Sequence, residues 1–345
     1  MASSIPVKTI NLALQGGGSH GAFTWGVLDR LLEEDDRLKI EGISGTSAGA
    51  MNAAALLQGY DVGGAKAARE SLDAFWEGVG QLSSFSLPQR TPLDLMMGNW
   101  NLDSSPGAMM MDAWQRMFSP YQTNPFNFNP LRDMLTKMLD IETIRNSDTI
   151  KIFVCATNVE TGRPRIFERK ELSVDAVLAS SCLPFAFQAV TIDGAPYWDG
   201  GYVGNPSLFP LIYGCNSPDI VLVQINPLTR PGTPDTPAEI INRLNEISFN
   251  ASLIGEIRAI AFVQKLVEQD HLKSEESARL KKMNMHMIEA EKEMNAFGAT
   301  SKTNGSMDFL LHLKKLGRAT ASEWLDKNWD AIGETSSIDI KKTFL

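Results

Sequence analysis

GISGTSAGAMNAAAL, residues Gly42 to Leu56, starts as a short β-rich run, turns through glycine and serine, and continues as an alanine-rich helix that Gly59 would close. At its centre lies Gly45-Thr46-Ser47-Ala48-Gly49, a G-x-S-x-G pentapeptide between a strand and a helix, the setting a nucleophile elbow requires. Such a turn must be sharp enough to lift a serine oxygen out of the sheet, and Gly45 and Gly49 remove the side chains that would collide there. Ser47 would then sit at the positive end of the following helix, where a developing oxyanion is favoured. A serine N-cap between two packing glycines would leave the same letters, so the neighbouring stretches decide.

Upstream, Thr9–Leu14 (TINLAL) reads as a buried strand, Gly16 to Gly18 interrupt it, and Phe23, Val27, Leu28, Leu31 and Leu32 recur at helical spacing. With Leu38–Ser44 (LKIEGIS) as a second strand, the first sixty residues spell β-turn-α-β-turn-α, the start of a parallel sheet covered by helices. Gly16, Gly18 and Gly21 satisfy G-x-G-x-x-G, and Glu41 follows Gly21 by 20 residues, so a dinucleotide site is open on this loop alone. The elbow offers the other use. Were both turns at the carboxyl ends of neighbouring strands, the N–H groups of Gly17 and Gly18 could point at an oxygen held above Ser47.

A serine hydroxyl needs a base. The chain has four histidines, and His271, His286 and His312 lie in charged sequence that reads as helical, without a glycine-rich loop to present an imidazole. Asp199 has better surroundings. In VTIDGAPYWDGG, Asp193-Gly194 reads as a two-residue hairpin turn, and the returning run ends at Trp198, which puts Asp199-Gly200-Gly201 at a strand end. Partial burial and a hydrogen bond to Ser47 would raise the basicity of this carboxylate enough for a Ser-Asp dyad.

The remaining composition bounds the answer. The chain has 345 residues, 43% of them hydrophobic, enough for one large α/β domain with insertions or for two domains. The net charge of -9 argues against nucleic acid as partner and leaves a neutral or zwitterionic lipid surface open. Cys155, Cys182 and Cys215 read as reduced core thiols, no Cys/His spacing suggests a metal, and neither a secretory leader nor a membrane-spanning run is evident, so a cytoplasmic protein is the expectation. Residues around 81–140, rich in Met, aromatics, Pro and Asn, are expected to form an irregular cap insertion. After the proline-rich PLTRPGTPDTP the sequence reads as helical throughout 227–345, covering the sheet edge or forming a subunit contact.

Gly16-Gly17-Gly18 with Gly21, the pentapeptide at Gly45–Gly49, and Asp199-Gly200-Gly201 occur in that order, and together with ASSCLPFAFQAV (Ala179–Val190) they resemble the patatin-like phospholipase family. The resemblance covers Lys8 to Asn226 and implies a three-layer α/β/α fold with a mainly parallel sheet, a Ser47–Asp199 dyad, and an oxyanion hole at Gly16, Gly17 and Gly18. It further implies a lipid acyl hydrolase of the phospholipase A type that needs no cofactor and takes lipid or acyl-ester substrates. A transient membrane-surface contact, a homo-oligomer, and an acyltransferase using the same serine stay open. Family members commonly carry Arg or Lys just before the last loop glycine, where this chain has His20.

Overall fold

A computed structural model of the chain describes residues 7–86, 88–268 and 281–345. Its centre is formed by β1 (Lys8–Leu14), β2 (Leu38–Thr46) and β3 (Lys151–Asn158), with β7 (Asp219–Val223) and β8 (Asn284–Ile288) on the far side of β1. These five are mutually parallel and largely buried, which is why β1, β2, β3 and β7 read as mainly apolar runs. β4 (Pro164–Glu168), β5 (Val190–Ile192) and β6 (Ala195–Asp199) add an antiparallel margin, giving eight strands in the order β5-β6-β3-β2-β1-β7-β8 with β4 paired to β3.

The period-two alternation of the strands splits the core into two layers. Leu12, Leu14, Val221 and Val223 face one side with α1 (Gly21–Leu31), α2 (Ala48–Ser84) and α8 (Val174–Ser180). Ala13, Ile220 and Leu222 face the other with α9 (Phe209–Gly214) and α10 (Pro237–Glu268). The architecture is therefore the expected three-layer α/β/α. Asp193 and Gly194, both at positive φ, make the two-residue turn between β5 and β6. All three cysteines are free and buried.

Three expectations need correction. Gly59 does not end α2. The helix runs on to Ser84 and breaks instead at Gly63-Gly64, and Gly59 is small because Ala67 O would lie 2.1 Å from a side chain there. The cap is not irregular but a chain of short helices: α3 (Pro92–Met97), α4 (Pro106–Met117), α5 (Pro120–Thr123), α6 (Pro130–Met138) and α7 (Ile141–Asn146). Each of the first four has proline at its first position after Thr91, Ser105, Ser119 or Asn129, so the prolines start helices where they seemed to break structure.

Third, the C-terminal region is not helical throughout. Residues 284–288 (NMHMI) form β8, with Met285 packed in the second core layer, and the run is too short for its period to declare itself between KK and EAEKE. The rest is mostly helical: α11 (Glu291–Met294), α12 (Met307–Asn328) and α13 (Ile340–Phe344). α12 crosses α1 at backbone contact. A side chain at Gly26 would meet Lys314 O at 2.0 Å, and one at Gly317 would meet Phe23 O at 2.0 Å. Asp29 on α1 ties the crossing by pairing with Arg69 of α2 and Arg318 of α12.

Candidate active site

The turns that end β1 and β2 lie side by side at the carboxyl ends of the parallel strands, because β1 and β2 are neighbours in register from Asn11 opposite Gly42 to Leu14 opposite Gly45. Ser47 has φ 54° and ψ -123°, a strained conformation for a residue with a side chain. Several contacts enforce it. The Ser47 N–H donates to Ser180 Oγ at 2.9 Å, Ser180 Oγ donates to Cys155 O at 2.6 Å, and Thr46 Oγ1 donates to Gly204 O at 2.6 Å. Gly45 and Gly49 meet backbone instead of solvent: a side chain would lie 2.6 Å from Gly49 O at the first and 2.2 Å from Leu14 O at the second.

The glycine loop is pressed against this elbow. A Cβ on Gly16 would lie 2.6 Å from Ser47 Cβ, and one on Gly21 would lie 2.7 Å from Ala48 Cβ. Gly18 is in the left-handed region at φ 59°, and Lys302 O would stand 2.3 Å from any side chain there. The three loop glycines are not equivalent. Gly16 N–H already donates to Asn205 Oδ1 at 2.6 Å, so it anchors the loop, whereas Gly17 and Gly18 line the cavity over Ser47 and their N–H groups have no partner among the described residues.

Asp199 ends β6 opposite Ala156 of β3, which brings it to the same end of the sheet from the antiparallel side. Its backbone is fixed by donation to Cys182 O at 2.8 Å and by acceptance from Thr157 Oγ1 at 2.7 Å; its Oδ1 accepts the Gly201 N–H at 2.7 Å. Burial pushes the carboxyl up from 3.8 to about 6, while the Gly201 amide, the nearby Ser47 hydroxyl and the charge of Lys302 pull the other way. Ser47 and Asp199 line one cavity of about 350 Å³. The cavity is also lined by the apolar side chains of Met51, Phe75, Trp76, Val79 and Leu131.

The histidines stand elsewhere. His271 lies outside the described residues. His286 is on β8, three strands from the elbow strand β2, fully buried, with Nε2 2.9 Å from Asp219 Oδ1 and Nδ1 3.0 Å from Ser337 Oγ. Asp219 also accepts the Gly333 N–H, so this set staples strand starts to the 333–337 loop. His312 stacks on Trp100. His20 is buried beside the loop with Nε2 2.7 Å from Ser301 Oγ, and burial followed by the charge of Lys302 holds its pKa well below the ordinary value, so it is neutral. Glu41 is near the start of β2, accepting from Asn216, Ser217 and Lys151, at the end of the sheet away from the glycine loop. A ribose-binding carboxylate would be needed at the loop's end, so the dinucleotide reading loses its second residue.

Sequence reasoning missed the supports. Gln15 Oε1 accepts the N–H groups of Ile225 and Asn226, and its Nε2 donates to Asn250 of α10 at 3.0 Å, tying the β1 end to the β7 end and to the C-terminal region. Asn226 Nδ2 donates to Gly16 O at 2.8 Å. Asn205, six residues beyond Asp199, was within reach of the Asp-Gly-Gly stretch, but no local pattern marks Asn226, Asn250 or Lys302.

The chain thus places a strained serine at a strand-to-helix turn of a mainly parallel α/β sheet, backed by a glycine loop and a buried aspartate. Over residues 12–212 the chain matches the patatin-like phospholipases, and it belongs to the patatin-like phospholipase family. Among curated proteins it is similar to a cGAMP-activated phospholipase of Escherichia coli (strain TW11681), at 28% identity over 224 residues. That match takes in 58% of this chain and 54% of the relative, so the chain spans about half the length of the relative it matches. Among solved structures it aligns with VipD from Legionella pneumophila at 17% identity and a TM-score of 0.42, over 93% of this chain and 67% of that one.

Proposed function

We propose that the protein is a lipid acyl hydrolase in which Ser47 and Asp199 act as a catalytic dyad. Asp199 accepts the Ser47 proton as the hydroxyl oxygen attacks an ester carbonyl, and the N–H groups of Gly17 and Gly18 hold the resulting oxyanion. Collapse expels the alcohol, which takes the proton back from Asp199, and leaves an acyl-serine. Water then gives its proton to Asp199, attacks the acyl group, and releases the fatty acid as Ser47 is reprotonated. The acyl chain lies against Met51, Phe75, Trp76, Val79 and Leu131.

The observation that supports this reading is the convergence, in one cavity, of a serine at φ 54°, a buried carboxyl held near 6, and two unpartnered amide N–H groups. The surroundings suit a lipid surface. Met96, Met97, Met117, Phe126 and Phe128 in the cap are each more than two-thirds exposed, and Leu183, a cavity residue, is also exposed. We assign this face to transient contact with the bilayer that supplies substrate. No helix among the described residues is long and apolar enough to cross a membrane. Purified wild type should release fatty acid from a phospholipid and p-nitrophenol from a short-chain ester. Ser47→Ala and Asp199→Asn should each lower both rates by at least ~10³-fold, and replacing His286 or His312 should leave both within threefold of wild type. Retained turnover in either dyad variant refutes the mechanism.

A further inference from the structure

Among the described residues one cation lines the cavity over Ser47, and the catalytic scheme does not use it. Lys302 sits in the turn Ala299–Thr303, far outside the family-matched stretch, and its side chain enters the cavity wall beside Gly17, Gly18, Asn245, Thr303 and Asp199. Its Nζ donates to Asn226 Oδ1 at 2.8 Å and Asn245 Oδ1 at 2.5 Å, and it lies 5.0 Å from the centre of the Phe249 ring. Both oxygens belong to neutral amides, so the third N–H has no oxygen partner and no carboxylate lies within ion-pair distance among the described residues.

The acidic groups that act on it from further away are committed elsewhere. Glu246 is paired with Arg230 at 2.5 Å and with Arg243 at 3.1 Å, and Asp199 accepts the Gly201 N–H beside the Ser47 hydroxyl. His20, behind the same turn, is neutral. A mostly buried ammonium without a counter-ion favours an anion at its free N–H. Burial draws its pKa down to about 8, which still leaves it mainly charged at neutral pH.

We propose that Lys302, with Asn245 and Thr303 beside it, is a subsite for a phosphate group, and that in the hydrolase reading, on which this rests, it receives the headgroup phosphate of a glycerophospholipid. The acyl chain then lies on the apolar wall, the ester carbonyl lies over Ser47, and the phosphate lies against Lys302. The subsite makes the site prefer phospholipids to neutral glycerides of the same acyl length.

The test is a matched pair of short-chain monomeric substrates, dihexanoylphosphatidylcholine and dihexanoylglycerol, with wild type, Lys302→Met and Lys302→Arg, each checked by thermal melting. In Lys302→Met, kcat/KM for the phospholipid should fall at least 10-fold, chiefly through KM, while the diacylglycerol changes less than threefold. Lys302→Arg should retain most of the preference, and the wild-type preference should fade in buffer well above pH 8. Equal losses on both substrates, or no loss on either, would overturn the subsite, the first outcome meaning that Lys302 serves only the loop or the dyad. Inorganic phosphate separates the sources: competition with diacylglycerol in wild type and none in Lys302→Met shows a site for phosphate itself, whereas the substrate split without competition shows one that needs the whole headgroup. A wild type inert on both esters would sink the hydrolase reading, and calorimetric titration of inorganic phosphate into wild type and Lys302→Met would then decide the subsite, with equal heats overturning it.

Discussion

Replacing Asp199 by Asn should make the protein more stable at neutral pH as it removes hydrolysis. The carboxyl is 1% exposed, and burial raises its pKa from 3.8 to about 6. Above about pH 6 the native state therefore holds a carboxylate that the unfolded chain carries at lower cost. Two pKa units at about 1.4 kcal/mol each give a penalty on the order of 3 kcal/mol. Between about pH 6 and 3.8 the native state binds the proton and the unfolded chain does not, so stability rises as the pH falls through that window, and below it the difference vanishes. Asparagine keeps an acceptor for the Gly201 N–H and does not titrate, and the pull of Lys302 is already contained in the value near 6, so about 3 kcal/mol is the ceiling. Urea unfolding of wild type and Asp199→Asn at pH 8 and at pH 4 measures the effect. The variant should be the more stable at pH 8 by about 1 to 3 kcal/mol and close to equal at pH 4. Parallel pH curves, or a variant less stable at pH 8, would refute a buried, energetically costly carboxylate at this position.

The same ionisation should appear in turnover, with kcat/KM for a neutral ester rising with pH to a plateau and an apparent pKa near 6; a flat profile from pH 5 to 8 would exclude Asp199 as base. Ser47→Gly should abolish hydrolysis yet raise stability by roughly 1 kcal/mol, because glycine accepts positive φ without strain; loss of stability would place the strain elsewhere. Gly18→Ala meets both a left-handed backbone and Lys302 O, so it should cost about 1–3 kcal/mol and lower turnover at least 100-fold, read by melting and ester assays. Gly317→Val drives a side chain into Phe23 O and should destabilise by at least about 3 kcal/mol, measured by urea unfolding. Phe126→Ser with Phe128→Ser should weaken cosedimentation with phosphatidylcholine vesicles while short soluble esters are cleaved as before.

The sheet, the order of its first elements and the turns at Gly16–Gly18, Gly45–Gly49 and Asp193-Gly194 were legible because each is set locally, by apolar runs that stop at glycines: Gly18 and Gly194 take positive φ, and Gly16, Gly45 and Gly49 leave no room for a side chain. What was not legible depends on tertiary partners. NMHMI pairs with β7 only because the chain returns to the sheet after α10, and five residues between charged runs hold too little period to announce a strand. The cap helices could have been found from Thr91-Pro92, Ser105-Pro106, Ser119-Pro120 and Asn129-Pro130, each a helix-starting pair, had proline been weighed as an initiator. At the site, Ser47 and Asp199 are the residues that the motifs single out. The division of labour among the glycines, with Gly16 tied to Asn205 and the next two free, depends on a side chain nearly 190 residues away. Lys302 lies further still, beyond any motif, and reaches the loop because α10 and the turn Ala299–Thr303 pack against it.

The central claim is that the Ser47 oxygen is a nucleophile made reactive by Asp199. A fluorophosphonate probe followed by peptide mass spectrometry tests it most directly. A single adduct on the peptide containing Ser47, absent in Ser47→Ala and slowed at least ~100-fold in Asp199→Asn, is the predicted result. Labelling of another residue, or labelling of Ser47 at an unchanged rate without the Asp199 carboxylate, would contradict it.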